Sequence, residues 1–209
     1  MTLAAITDAT NACDLAVMGG FHPDQSEGIG KTLILLGPDH GFWPAFSASP
    51  EYGDGAADPL DRWSARVIGT LATNLDAQAV FPFGGPPFQP FIAWAQRTGR
   101  AWQSPVGLLV HDTAGLMVSY RGALVFDRRI ALPATGNSPC TGCTAPCRTA
   151  CPAGALGPAG YDVPACKSHI TSAGIDCMDY GCAVRRACPV SQTYGRDPAQ
   201  SAFHMRAFT

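Results

Sequence analysis

Lysine is almost missing from this chain, with two lysines against twelve arginines. Acidic and basic residues nearly cancel, at a formal net charge of −2, so no charge excess recruits nucleic acid. No apolar run approaches the roughly 20 residues needed to cross a bilayer, which excludes a membrane-spanning helix. The opening stretch, MTLAAITDATNACDLAVMGGF, has no basic start and carries Asp8 and Asp14, so it does not read as a secretory leader. The expected compartment is the cytoplasm, where thiols stay reduced and disulfides are rare. Cysteine is nearly absent from the first 139 residues, where Cys13 stands alone.

Hydrophobic residues make up 46% of the chain, enough for an ordinary core. Gly (23) and Pro (18) are abundant, which predicts many loops and few long helices. The other eight cysteines fall between 140 and 188. This skew predicts an α+β part over 1–135 and a compact cysteine-rich part over 136–209.

Helical spacing of Leu3, Ile6, Ala9, Cys13 and Val17 predicts a helix over 2–19. TLILLGP (32–38) predicts a buried strand. Residues 43–57 read as loop. Residues 58–75 predict a helix capped by Asp58, with Pro59 in its first turn and a stripe of Leu60, Trp63, Val67, Leu71 and Leu75. FPFGGPP (81–87) reads as a rigid turn, and 90–99 as a short helix stopped by Gly99. Strands are expected at about 106–111, 115–120 and 122–127, with a reversal at Thr113, Ala114 and Gly115. GIGKT (28–32) looks like a phosphate loop, but Gln25 stands where that pattern needs glycine, and a strand follows.

The stretch PCTGCTAPCRTACP (139–152) places Cys140, Cys143, Cys147 and Cys151 in a C-x2-C-x3-C-x3-C-P run. Iron–sulfur cubanes take four thiolates each, and the bacterial ferredoxin run C-x2-C-x2-C-x3-C-P is one residue shorter. In that pattern the fourth cysteine serves the neighbouring cluster. Cys166, Cys177, Cys182 and Cys188 supply four more thiols, and Cys188 is again followed by proline. The expected ligand sets are Cys140, Cys143, Cys147 and Cys188 for one cluster, and Cys151, Cys166, Cys177 and Cys182 for the other. Zinc is the alternative, but a zinc ribbon pairs two C-x2-C knuckles and only one is present. Disulfides are the alternative in an oxidising compartment. Cys13 reads as a buried hydrophobe. Backbone amides around Gly142 and Gly181, and Arg185, are candidates to tune the clusters. Arg185, Arg186, Arg196 and Arg206 read as charge compensation, a docking face for an acidic partner, or a solvated face. His169 and His204 lie near the cysteines in sequence and read as surface or core histidines, with a place in a cluster pocket wall as the alternative.

On CTGCTAPCRTACPAGAL, ACKSHI and YGCAVRRACPV, residues 140–190 resemble the two-cluster ferredoxin-like domain of epoxyqueuosine reductase, an arrangement shared with corrinoid reductive dehalogenases. The whole chain is similar to small bacterial 4Fe-4S ferredoxin-like proteins, on FPFGGPPFQPFIAWAQR, SPVGLLVHDTAGLMVSYRGALVF, DCMDYGCAVRRACPV and QSAFHMRAF. In that group the Cys177–Cys182 pair belongs to the pattern. Residues 105–126 resemble the hairpin region of the reductase's cobalamin-binding half. The resemblance implies a nitroreductase-like, cobalamin-processing-like α/β domain ahead of a two-cluster region. It also implies a redox partner protein or small-molecule acceptor, and leaves open a corrinoid or flavin cofactor and an oxidoreductase reaction. The aromatic residues Phe81, Phe83, Phe88, Phe91 and Trp94 would then wall a pocket or simply fill a core. The reductase's catalytic aspartate, in a V-D-S-A-P-like segment, has no counterpart in AVFPFGGPP or VGLLVHDT, so epoxyqueuosine reduction itself is not expected. Asp112 lies near the corresponding loop without an assigned role. The catalytic residues of any such reaction are unassigned.

Overall fold

The computed structural model describes residues 1–157, 160–172 and 176–209. In chain order its strands are β1 (Leu15–Phe21), β2 (Thr32–Pro38), β3 (Gln78–Val80), β4 (Ala101–Gln103), β5 (Leu109–His111), β6 (Gly122–Phe126), β7 (Leu156–Gly157) and β8 (Gly160–Tyr161). Helices surround them, so the class is mixed α+β with small antiparallel sheets. The chain forms two compact units. Unit 1 is Met1–Arg100 with Ser119–Thr135, and unit 2 is Ala101–Val118 with Gly136–Thr209. Segment 101–118 therefore groups with the cysteine-rich part, not with the residues on either side of it in sequence.

Unit 1 is built on a four-stranded antiparallel sheet in the order β1-β2-β6-β3. Every residue of β2 and β6 is buried, which is why TLILLGP shows no alternation. Leu33, Ile34, Leu35, Leu36, Leu124 and Phe126 are fully buried, each worth roughly 1.5–3 kcal/mol of removed apolar surface. Helix Pro59–Asn74 packs on β3 and β6, while helices Leu3–Asn11 and Phe91–Arg97 pack on β1.

Three sequence expectations change here. The first helix ends at Asn11, and Leu15–Phe21 is strand β1. Asp14 takes a positive φ of 57° and Gly19 one of 128°, which helix cannot accommodate, and pairing with the apolar β2 outweighs the helical spacing. Residues 43–57 are not loop throughout: helices Phe42–Ser47 and Pro50–Gly53 form there. Their driving force is an aromatic cluster, with Phe42 edge-on to Trp63 at 5.2 Å and to Tyr52 through Phe46. Asp58 stands at the N-cap of Pro59–Asn74 in left-handed conformation and accepts no capping hydrogen bond through its side chain.

Glu51 is only 9% exposed and receives a two-pronged bond from Arg66, whose Nη2 donates to Oε2 at 2.9 Å. The Arg66 guanidinium holds the Glu51 carboxyl down to about 2. A carboxyl depressed on folding stabilises fully above its unfolded value and loses that contribution as pH falls through the folded one. Glu51→Gln is therefore expected to cost roughly 1 kcal/mol at pH 7. The gap between variant and parent should close as pH drops from about 4.5 towards 2. Urea unfolding at several pH values reads this, and a gap that ignores pH rules it out.

In unit 2, β4 pairs with β5 as a hairpin. The expected strand at 106–111 is thus shorter, and its partner β4 gives no strand signal in the sequence. The reversal at 112–115 forms, with His111 and Gly115 exchanging backbone bonds at 3.0 Å. The expected strand at 115–120 does not form. Its backbone groups are claimed by side chains: Ser191 Oγ accepts from Leu116 N at 2.8 Å, Arg185 donates to the Leu116 carbonyl, and Arg196 donates to the Met117 carbonyl at 2.7 Å. Helices Val163–Ile170, Asp176–Tyr180, Ala183–Arg186, Pro189–Tyr194 and Pro198–Arg206 complete the unit. No helix among the described residues is long and apolar enough to cross a membrane.

Candidate metal centre

The run from Cys140 to Cys151 is turn-rich and folds around two left-handed residues. Gly142 has φ 76° and Ala145 has φ 54°, and between them Cys143 N donates to the Cys140 carbonyl at 3.2 Å. A short 3-10 turn, Pro146–Arg148, then buries Cys147 to 6% exposure. Cys188 sits at the N-cap of helix Pro189–Tyr194, and Pro189 opens that helix, where its missing N–H costs nothing. The Cys-Pro pair at 188–189 therefore starts an element.

These pieces meet. Cys140, Cys143, Cys147 and Cys188 line one cavity of about 360 Å³, together with Val110 and Leu116 of segment 101–118. Cys147 and Cys188 belong to an apolar cluster with Val106, Val110, Leu116, Leu156 and Val184. Cys151 packs on the edge of that cluster and does not line the cavity. The thiol that joins the first three is thus the distant Cys188, although Cys151 is nearer in sequence. Burial pushes the Cys140 and Cys147 thiols up, and their thiol neighbours, Cys188 among them, push the same way. Ala145 N donates to Cys143 Sγ at 3.4 Å.

Three further cysteines lie on the helices that follow. Cys166 lies in helix Val163–Ile170, which Asp162 caps by accepting from Ala165 N at 2.9 Å. Cys177 lies in helix Asp176–Tyr180, and Cys182 caps Ala183–Arg186. Gly181, between them, has φ 87°, and a Cβ there would stand 2.6 Å from Ser201 Cβ, so only glycine lets the loop close on helix Pro198–Arg206. Burial raises the Cys177 thiol, opposed by a hydrogen bond from the Ala183 amide. Cys182 acts on Cys177 electrostatically, and both Cys166 and Cys182 act on Tyr161. Burial pushes the Tyr161 phenol up, and its interaction with Cys166 pushes the same way.

All nine cysteines are free, and Cys13 is half-buried in unit 1. Among the described residues, no group of three or more His, Cys, Asp or Glu side chains is drawn in closely enough to hold a metal ion as it stands. Arg185 and Arg196 do not form a solvated face: both clamp the 116–117 carbonyls, and burial pushes Arg196 down to about 10. Arg186 donates to the Gly181 carbonyl at 3.0 Å and pairs with Asp176, while Arg206 is exposed. Neither His169 nor His204 lines the cavity. Of the aromatic turn in unit 1, Phe91 and Trp94 are buried, Phe81 and Phe83 stack at 5.0 Å, and Phe88 is exposed.

Sequence reasoning missed one part of the site. Leu116 and Val110 line the cavity, and the only signal was Gly115, a residue that tolerates close approach. Comparison with known families, characterised proteins and solved structures found no match to this chain.

Proposed function

We propose that this chain is an iron–sulfur redox protein that holds two 4Fe-4S clusters and serves a redox partner protein or a small-molecule acceptor. The observation that carries the reading is the convergence of Cys140, Cys143, Cys147 and distant Cys188 on one cavity. That is the crossover arrangement expected of paired cubanes, in which the last thiol of one run serves the other site. A zinc ribbon pairs two C-x2-C knuckles, and only Cys140–Cys143 has that spacing here.

When bound, a cubane supplies reversible one-electron transfer. The chain's own residues do the rest. Cys140, Cys143, Cys147 and Cys188 would hold one group, and Cys151, Cys166, Cys177 and Cys182 the other. Val110 and Leu116 keep water from the first set. The Ala145 and Ala183 amides donate to cysteine sulfur and so favour its thiolate form. Loading releases protons from buried thiols, so it is expected to be favoured at higher pH. In the finer reading of the fold, unit 2 is a two-cluster ferredoxin-like region and the antiparallel sheet of unit 1 is a platform of nitroreductase-like descent.

Protein purified without oxygen is expected to carry about eight irons and about eight acid-labile sulfides per chain, given four of each per cubane. About four of each would leave a single cluster and end the two-cluster reading. Zinc without sulfide would remove the protein from redox chemistry.

A further inference from the structure

One hydroxyl beside the thiol cavity has no partner. Ser104 follows strand β4 and lines the cavity of Cys140, Cys143, Cys147 and Cys188. It is 6% exposed, and its Oγ is shielded from water without a hydrogen-bond partner. The turn that holds it does not need that hydroxyl. Ser104 N donates to the Leu108 carbonyl at 2.8 Å, and Gly107 N donates to the Ser104 carbonyl at 3.0 Å, so backbone alone closes the turn. Two other serines of unit 2 are engaged: Ser138 Oγ accepts from Cys140 N at 3.3 Å, and Ser191 Oγ accepts from Leu116 N at 2.8 Å. Thr141 and Thr144 also line the cavity, but both are exposed and water serves them.

A hydroxyl shut away from water and left unpaired loses its hydration for nothing, so such groups are rare and mark a missing partner. The lining supplies none. It carries no charged side chain. Its thiols are weak acceptors while protonated, and burial pushes Cys140 and Cys147 towards that form. Thiols that become metal ligands are thiolates, and an anionic acceptor makes the stronger bond.

We propose that Ser104 donates its hydroxyl to a sulfur of the cluster held by Cys140, Cys143, Cys147 and Cys188, and that this bond raises the reduction potential of that cluster. The inference rests on the iron–sulfur reading above. Reduction adds one electron, supplied by an external one-electron reductant, and breaks no bond; the proton stays on Ser104 Oγ. The reduced centre carries one more negative charge, so a donor to sulfur favours it over the oxidised one. In a cavity without charged side chains, a single dipole of this kind is weakly screened. Ser104 is a positioning residue for potential, with no bond to iron.

The test is reductive titration of anaerobic protein followed by EPR, parent against Ser104→Ala. The step that belongs to this site is the one that Cys188→Ala removes. In Ser104→Ala, iron and sulfide should stay at the parent's level, because no ligand changes. The step of this site should become harder by about tenfold in its equilibrium constant, which is about 59 mV for one electron, and any other step should stay put. Electron–nuclear double resonance on the reduced parent, before and after exchange into heavy water, should show a coupled exchangeable hydrogen that Ser104→Ala lacks. Alanine removes one oxygen and adds no bulk, and circular dichroism checks the fold. An unmoved step, or a shift confined to another step, overturns the proposal while leaving the clusters in place. Loss of iron in Ser104→Ala overturns it as well, since a donor to sulfur holds no metal. A parent spectrum without the exchangeable hydrogen does the same, whatever the variant shows. Parent protein without iron and sulfide overturns the reading beneath it and the proposal together.

Discussion

Cys188→Ala is expected to lower bound iron from about eight to about four per chain, and the loss should fall on the site of Cys140, Cys143 and Cys147. Cys188 lies about forty residues beyond Cys147 and only six beyond Cys182. A local rule would therefore assign it to Cys166, Cys177 and Cys182. The fold instead puts Cys188, the N-cap of helix Pro189–Tyr194, in the lining of the cavity shared by the first three thiols. The two rules separate in a double variant. If Cys188 serves the first group, Cys140→Ala with Cys188→Ala still leaves about four irons per chain, because both changes fall on one site. If it serves the second, the double variant loses both sites and nearly all its iron. Cys13→Ala is the control and should leave iron unchanged, since Cys13 belongs to unit 1.

The second large effect concerns a position without any thiol. Gly115→Val is expected to destabilise unit 2 by roughly 3 kcal/mol or more. Gly115 has φ 57°, and a Cβ there would stand 2.5 Å from Ser191 N and 2.6 Å from Ser191 Oγ. Backbone cannot yield as a side-chain tip can. The displaced turn would lose the Leu116 N to Ser191 bond and withdraw Leu116 from the cavity wall. Gly107→Val separates strain from collision, because Gly107 has φ 79° and nothing within 4 Å of the added Cβ. Unfolding by denaturant, followed by circular dichroism, should give a markedly lower midpoint for Gly115→Val than for Gly107→Val. Equal midpoints would mean the contact with Ser191 carries no weight.

Much of this was legible in residues. The buried run at 32–38 and the helix at 59–74 follow from apolar content and proline position. What was not legible depended on partners distant in sequence. Residues 15–21 carry helical spacing as well as strand character, and only the presence of β2 decides between them. Residues 115–118 look like a strand because they are apolar, yet their backbone bonds go to Ser191, Arg185 and Arg196, some seventy to eighty positions away. The Arg185 and Arg196 clamps could not be read from charge, since an arginine in solvent and one buried on a carbonyl look alike in sequence.

The order of synthesis gives the split make-up of unit 2 a further meaning. Segment 101–118 leaves the ribosome long before Ser191, and the chain builds the rest of unit 1 in between. Cys140, Cys143 and Cys147 likewise precede Cys188 by about forty residues, or about 2–8 s at ordinary elongation rates. During that interval a nascent chain presents three thiols and an unfinished apolar wall. Transplanting residues 136–209 onto another protein would reproduce that unfinished state permanently, because the wall made by Val106, Val110 and Leu116 would stay behind.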